Sequence, residues 1–289
     1  MSKGSTLFVL PSAFVILIVV AFPLVYAIWM SLTNHIVGST ATEFIGLKNY
    51  FDWFRRADYW RTLVNTLVFS TSTVVIGVLL GLAVGLSLHK VKFLRNLWGG
   101  AILVPWIIPT VVSVLIWSWI LNPVASVLNY ILRELSIISK DINWLGGFPL
   151  VMVSVIIVSA WRYTPYFGVV ILAARKQVDD QLYEASLIDG ANGFQQFWRI
   201  TLPSISKVIL LTSTLIFVRV VSDFSVVYVL TRGGPSGATQ ILTVLSFTIA
   251  FDVGKMGAGI AVPLSVMPIL LPLILVVTGL MVKNQMAAR

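Results

Sequence analysis

Apolar residues along this chain arrive in long blocks separated by short polar connections. Six blocks are each long enough to cross a hydrocarbon core that needs roughly 20 helical residues. They lie near Leu7 to Met30, Thr62 to Leu88, Leu97 to Leu121, Phe148 to Ala174, Val208 to Leu230 and Met256 to Val282. The first block outlasts a signal-peptide core of roughly 7–15 residues and lacks a clear small-x-small cleavage site, so it is taken as a span. The pattern predicts an all-α integral membrane protein, one transmembrane domain over residues 1–289, with six transmembrane helices.

Within the blocks, small and imino residues modify the helices. Gly77, Gly81 and Gly85 fall on one stripe of the second block and predict close approach of a neighbouring helix. Pro105 and Pro109 interrupt the third block, and Pro263, Pro268 and Pro272 the sixth, each removing a backbone donor and predicting a bend. Two arginines fall at mid-span, Arg162 and Arg219, where an unpartnered charge costs at least about 2.5–3.5 kcal/mol. Asp223 lies four positions after Arg219, one turn along the same face, which predicts that these two neutralise one another and leaves Arg162 without such a neighbour. Tyr163 and Tyr166 beside Arg162 either stack on a sugar ring or fill a helix interface.

One connection differs from the rest. Residues 175–207 include "EASLIDGANGFQQFWRITLP", from Glu184 to Pro203. Val178, Leu182 and Ala185 recur at helical spacing, Asp189-Gly190 is a turn dipeptide, and Gly190 can take the positive φ that ends a helix. Asn192 is placed to cap a second short helix, along which Phe194, Phe197 and Trp198 form an aromatic stripe, and Pro203 opens the fifth span. The loop mixes acids with bases, whereas an interfacial lipid anchor is rich in Lys and Arg, so a protein partner is expected here.

Composition agrees with the pattern. Of the 289 residues, 58% are hydrophobic and only 11% charged, against about a quarter charged in soluble domains. The net charge of +9 is spread through the connections, as at anionic lipid surfaces, and carries no nucleic-acid footprint. Basic residues divide almost evenly between the two sides and slightly favour cytoplasmic termini, with the connector "HKVKFLRN" from His89 to Asn96 the best local support. With no cysteine there is no thiolate nucleophile or cysteine metal site. The two histidines, His35 and His89, fall in opposite loops, so no catalytic or metal-ligating residues are assigned. No T-V-G-Y-G filter, H-E-x-x-H or G-x-S-x-G arrangement argues for a channel or a membrane enzyme. A secondary active transporter with no ATPase partner is the alternative, but only one clearly intramembrane acid, Asp223, and no convincing internal repeat speak for it.

The loop from Glu184 to Pro203 resembles the EAA loop of bacterial ABC importer permeases: Glu184, Ala185, Gly190, Ile200, Leu202 and Pro203 match its pattern, and Ser186 replaces the second alanine. The blocks "FPLVYAIWMSLTN", "FIGLKNYFDWF", "LVPWIIPTVVSVLIWSWILNP" and "VVYVLTRGGPSGATQIL" are similar to sugar permeases of the maltose and glycerol-phosphate type. The resemblance implies a type I importer permease fold in a bacterial or archaeal cytoplasmic (inner) membrane. It also implies a second homologous permease, two nucleotide-binding ATPase subunits and an extracytoplasmic sugar-binding protein as partners. No cofactor is expected on this chain, which has no G-x-x-x-x-G-K-[ST]; ATP and Mg belong to the partner ATPase. Glu184, Ala185, Ser186, Asp189, Gly190, Phe194, Phe197, Trp198, Leu202 and Pro203 are implied to couple to that ATPase. Arg162, Tyr163, Tyr166, Arg219 and Asp223 are the candidates for the substrate path, and two arginines to one aspartate raise an anionic sugar as a secondary possibility.

Overall fold

The computed structural model describes residue 11, residues 14–39, 42–91 and 95–272, and residues 275 and 279. The start of the first predicted span, Lys92 in the basic connector and the end of the sixth span lie outside them. The described residues are helical apart from turns and two isolated bridges. Among the described residues, four helices are long and apolar enough to cross a membrane: α1 (Phe14–Ser31), α3 (Ala57–Lys90), α7 (Leu150–Arg175) and α9 (Gly193–Val221). Between them lie the short helices α2 (Lys48–Phe54), α6 (Val127–Glu134) and α8 (Gln181–Ile188).

The third predicted span is a broken pair, α4 (Arg95–Ile107) and α5 (Thr110–Ile120), with a bend of 91°. The sequence supplies the cause. Pro109 biases Ile108 away from helical geometry, lacks an N–H of its own, and takes an extended ψ of 136° before the chain resumes as helix at Thr110.

The fifth span differs from its predicted limits of 208–230. Its helix α9 begins at Gly193, so the second short helix expected in the loop is continuous with the helix of the fifth span. A π-turn at Phe197–Thr201 precedes Pro203, whose ring in a regular α-helix would clash with the carbonyl of Arg199. The helix stops at Val221, and α10 (Ser225–Thr231) starts afresh after a break in which Asp223 Oδ1 accepts the Val226 N–H at 3.3 Å. After α10, an apolar helix absent from the predicted set, α11 (Leu242–Asp252), turns at Gly254, where φ is +79°, into α12 (Met256–Pro272).

The chain forms two compact units. In the first, residues 1–63 join 242–271. Its core packs Trp53, Tyr59, Leu242, Leu245, Ala261, Val262 and Val266. Polar atoms inside it are paired: Trp53 Nε1 donates to the Ala258 carbonyl at 2.8 Å, and the Tyr59 and Ser265 hydroxyls meet at 2.6 Å. Asn49 donates to the carbonyls of Ser31 and Thr33 at 2.8 and 2.9 Å, satisfying acceptors that the end of α1 leaves open.

In the second unit, built mainly from residues 64–241, the predicted glycine stripe seats α3 against α7. A Cβ on Gly81 would collide with Phe167, one on Gly85 would lie 2.7 Å from the Gly168 carbonyl, and one on Gly77 would lie 3.0 Å from the Phe167 ring. Buried Ile171 completes this contact.

Candidate functional site: an exposed helical loop and a charged cluster at membrane depth

The loop follows from local rules. Helix α8 ends in a Schellman motif: the Gly190 N–H donates to the Leu187 carbonyl at 3.0 Å and the Ala191 N–H to the Ser186 carbonyl at 2.9 Å. Gly190 holds φ at +77° with open space where a Cβ would stand, so conformation rather than room selects glycine. Asn192 caps the next helix in a capping box, its Oδ1 accepting the Gln195 N–H while Gln195 Oε1 accepts the Asn192 N–H, both at 2.9 Å.

Glu184, Ala185, Asp189, Gly190, Phe194 and Trp198 are exposed, while Ser186, Phe197 and Leu202 are half-buried and Pro203 is exposed at the base. Helix α8 has no buried residue. Sequence reasoning passed over Leu187 and Ile188, which are 63% and 89% exposed; two adjacent aliphatics immediately before the Asp-Gly turn were the available signal. Phe194 and Trp198, whose ring centroids lie 6.2 Å apart, are exposed as well, so four large apolar side chains of the loop are uncovered. Large uncovered apolar patches on a water-facing loop mark contact sites.

The five residues proposed from mid-span positions come from two helices and one break: Arg162, Tyr163 and Tyr166 on α7, Arg219 on α9 and Asp223 just after it. Arg162 on α7 donates from Nη2 to Thr110 Oγ1 at 2.6 Å, at the restart after Pro109, and its Nη1 lies 3.6 Å from Asp223 Oδ2 in the break after α9. This corrects the expectation that Arg162 lacks a carboxylate neighbour. The premise of an intrahelical turn joining Arg219 to Asp223 fails because the helix ends at Val221. Arg219 instead lays its guanidinium over Trp106, 5.4 Å from the ring centroid.

Trp106 was missed by sequence reasoning, hidden inside an apolar run and recognisable only once α4 faces α7. Its ring stacks on Tyr166 at 4.9 Å and meets the edge of Tyr163 at 5.8 Å. The two tyrosines differ in exposure: Tyr163 is 3% exposed, whereas Tyr166 is half-buried beside Trp106. The Arg162 and Asp223 side chains retain only 12% and 10% of their exposure, so the pair is desolvated and each group depends on the other.

The sequence profile described as "Binding-protein-dependent transport system inner membrane component" matches residues 74–283. The chain is 31% identical over 261 residues to the trehalose/maltose transport system permease protein MalF of Thermococcus litoralis, covering 90% of this chain and 88% of that one. It is 31% identical over 259 residues to the trehalose transport system permease protein SugA of Mycobacterium tuberculosis, covering 88% and 80%. Against the diacetylchitobiose uptake system permease protein DasB of Streptomyces coelicolor the identity is 27% over 272 residues, covering 92% and 83%. Among solved structures, a bacterial ABC transporter that imports the acidic polysaccharide alginate matches with a TM-score of 0.80 at 19% identity, covering 96% of this chain and 94% of that one. At that identity the match speaks for the fold.

Proposed function

The chain belongs to the family of binding-protein-dependent transport system inner membrane components, and on that premise we propose that it forms half of the membrane pathway of an ATP-driven carbohydrate importer. The named relatives handle trehalose, maltose and diacetylchitobiose, which supports a sugar as cargo. The observation that carries the coupling role is the exposed helix α8 with Glu184, Leu187 and Ile188 on its surface and Phe194 and Trp198 beside it. This surface seats in a cleft of a nucleotide-binding ATPase on the cytoplasmic side. Apolar side chains supply the contact area, and Glu184 fixes orientation by charge. ATP and Mg bind in that partner; a second related permease completes the pathway, and an extracytoplasmic binding protein delivers the sugar.

Closure of two ATPase subunits draws two such helices together, and the paired permeases switch the side to which their cavity opens. The breaks at Pro109 and at residues 222–224 supply places where that change is absorbed, and both are tied to Arg162. On the substrate path, half-buried Trp106 and Tyr166 supply aromatic surface and the exposed Arg219 beside them a hydrogen-bond donor for a sugar. Because Asp223 engages Arg162, the arginine pair gives a reduced argument for an anionic cargo.

The test is to tag the chain in its native membrane, solubilise gently and identify what co-purifies. A Walker-motif ATPase and a second permease bearing an EAA loop are expected, with the ATPase lost on Glu184→Ala together with Gly190→Asp. A homo-oligomer without an ATPase would overturn the assignment and restore the secondary transporter.

A further inference from the structure

Helix α8 buries no side chain of its own, so apolar packing does not explain how a force applied to it would reach the membrane. Polar side chains supply the connection instead. The Tyr183 and Thr201 hydroxyls meet at 2.9 Å. Thr201 Oγ1 donates its one proton toward the Gln196 carbonyl at 3.4 Å, so Tyr183 is the donor in that pair. From the other end of Gln196, Nε2 donates to Ser186 Oγ at 2.9 Å, and Ser186 Oγ donates to the Tyr183 carbonyl at 2.8 Å. The circuit closes on itself: Tyr183, Thr201, Gln196, Ser186 and back to Tyr183. The Thr201 and Ser186 hydroxyls each give one proton and accept another, the Tyr183 hydroxyl donates while its backbone carbonyl accepts, and Thr201 is 5% exposed, screened from competing water.

A second fastening points to the preceding span. Arg175, at the end of α7 and 9% exposed, stacks its guanidinium 4.0 Å above the Tyr183 ring and reaches Asp180 Oδ1 at 3.3 Å. Tyr183 therefore sits between the end of α7 and the start of α9.

We infer that Tyr183, Ser186, Gln196 and Thr201 are positioning residues that lock α8 to the base of α9, so that ATPase-driven displacement of α8 moves the span as one body. The inference rests on the coupling role proposed above. It also gives Ser186 a purpose: the alanine expected at that position in the EAA pattern would remove two hydrogen bonds and leave only the longer one, at 3.4 Å, from Gln196 Nε2 to the Tyr183 carbonyl.

The experiment uses the intact complex with its partner subunits. Because the chain has no cysteine, Gln181→Cys and Leu210→Cys, both at exposed positions on α8 and α9, introduce a spin-label pair specific to it. The inter-label distance is measured at rest and after trapping with ATP and orthovanadate, alongside ATP hydrolysis and subunit stoichiometry. Thr201→Val and Gln196→Met remove hydrogen bonds at nearly constant shape, and Thr201→Ser restores the hydroxyl.

The expected result is one distance in the parent and in Thr201→Ser, retained on trapping. In Thr201→Val and Gln196→Met the single distance is lost on trapping, with the ATPase still bound at parental stoichiometry. Thr201→Val combined with Tyr183→Phe is expected to be no worse than either alone. A parent whose distance itself changes on trapping would overturn the inference, as would variants that keep the single distance. A parent complex containing no ATPase would overturn the importer reading and this inference with it, before any variant is made.

Discussion

The loop at Gln181–Ile188 and the cluster around Arg162 invert the polarity of their surroundings in opposite directions. The first shows Leu187, Ile188, Phe194 and Trp198 to water and is held together by hydroxyls, an amide and a guanidinium. The second holds two arginines and an aspartate at the depth of apolar spans and is surrounded by aromatic rings. Each breaks the rule its solvent sets, and the costs differ. Exposed apolar area is a modest cost that a partner relieves by removing it from water, whereas a desolvated charge must be matched within the chain itself. The loop is therefore unfinished without another protein, whereas the cluster balances its charge inside the chain while leaving Arg162 Nε and Nη1 without a hydrogen-bond acceptor among the described residues.

The largest effect should follow breaking the cluster. Asp223→Asn leaves Arg162 desolvated and unpaired, at a cost of about 3–5 kcal/mol, read as a lower unfolding midpoint of the purified chain in detergent. Arg162→Met with Asp223→Leu, which removes both charges, should recover most of that loss. If the single change left the midpoint unmoved, the cluster would be solvated and the comparison would collapse.

Ile188→Asp should act on association without touching stability, since the side chain is 89% exposed. A central apolar contact removed from such a surface weakens binding by about 2 kcal/mol, roughly thirtyfold, measured as the affinity of the partner ATPase for the reconstituted permease pair. A drop in unfolding midpoint of the isolated chain instead would show that Ile188 belongs to the chain's own packing.

Two controls lie where the solvent rule is obeyed. Gly81→Ala forces a Cβ onto Phe167 and should cost about 1–3 kcal/mol through overpacking, whereas the same change at Gly99, which has open space around it, should be silent. Asn49→Ala removes the two bonds that close the end of the first span and should cost about 1–2 kcal/mol, visible as faster amide exchange at residues 31–34. Equal effects at Gly81 and Gly99 would mean that the glycine stripe is not the contact between α3 and α7.

How much was legible beforehand varies with the range of the interaction. The glycine stripe, the end of a helix at Gly190 and the Asn192 cap are written in runs of a few residues and appear where expected; of the two prolines expected to interrupt the third span, the helix runs through Pro105 and breaks at Pro109. The limits of the fifth span were misplaced because the π-turn accommodates Pro203 and lets the helix run back to Gly193, a choice that no local propensity announces. The helix at Leu242–Asp252 was passed over because its apolar run is too short to be read as a span.

By itself the sequence determined the class of protein, since runs of apolar residues of bilayer length admit only helices, and it determined the loop's turns, since capping and positive φ are set by neighbours in the chain. It also marked Arg162, Arg219 and Asp223 as costly enough to need a purpose. Only the tertiary structure decided which charge meets which, that Trp106 joins them, that Tyr163 is buried, and that Ser186 bonds to Gln196. The physical reason is reach. Caps, breaks and bilayer-length runs depend on residues one or two turns apart, whereas Arg162 and Thr110 are 52 positions apart and meet only because two helices break where they do.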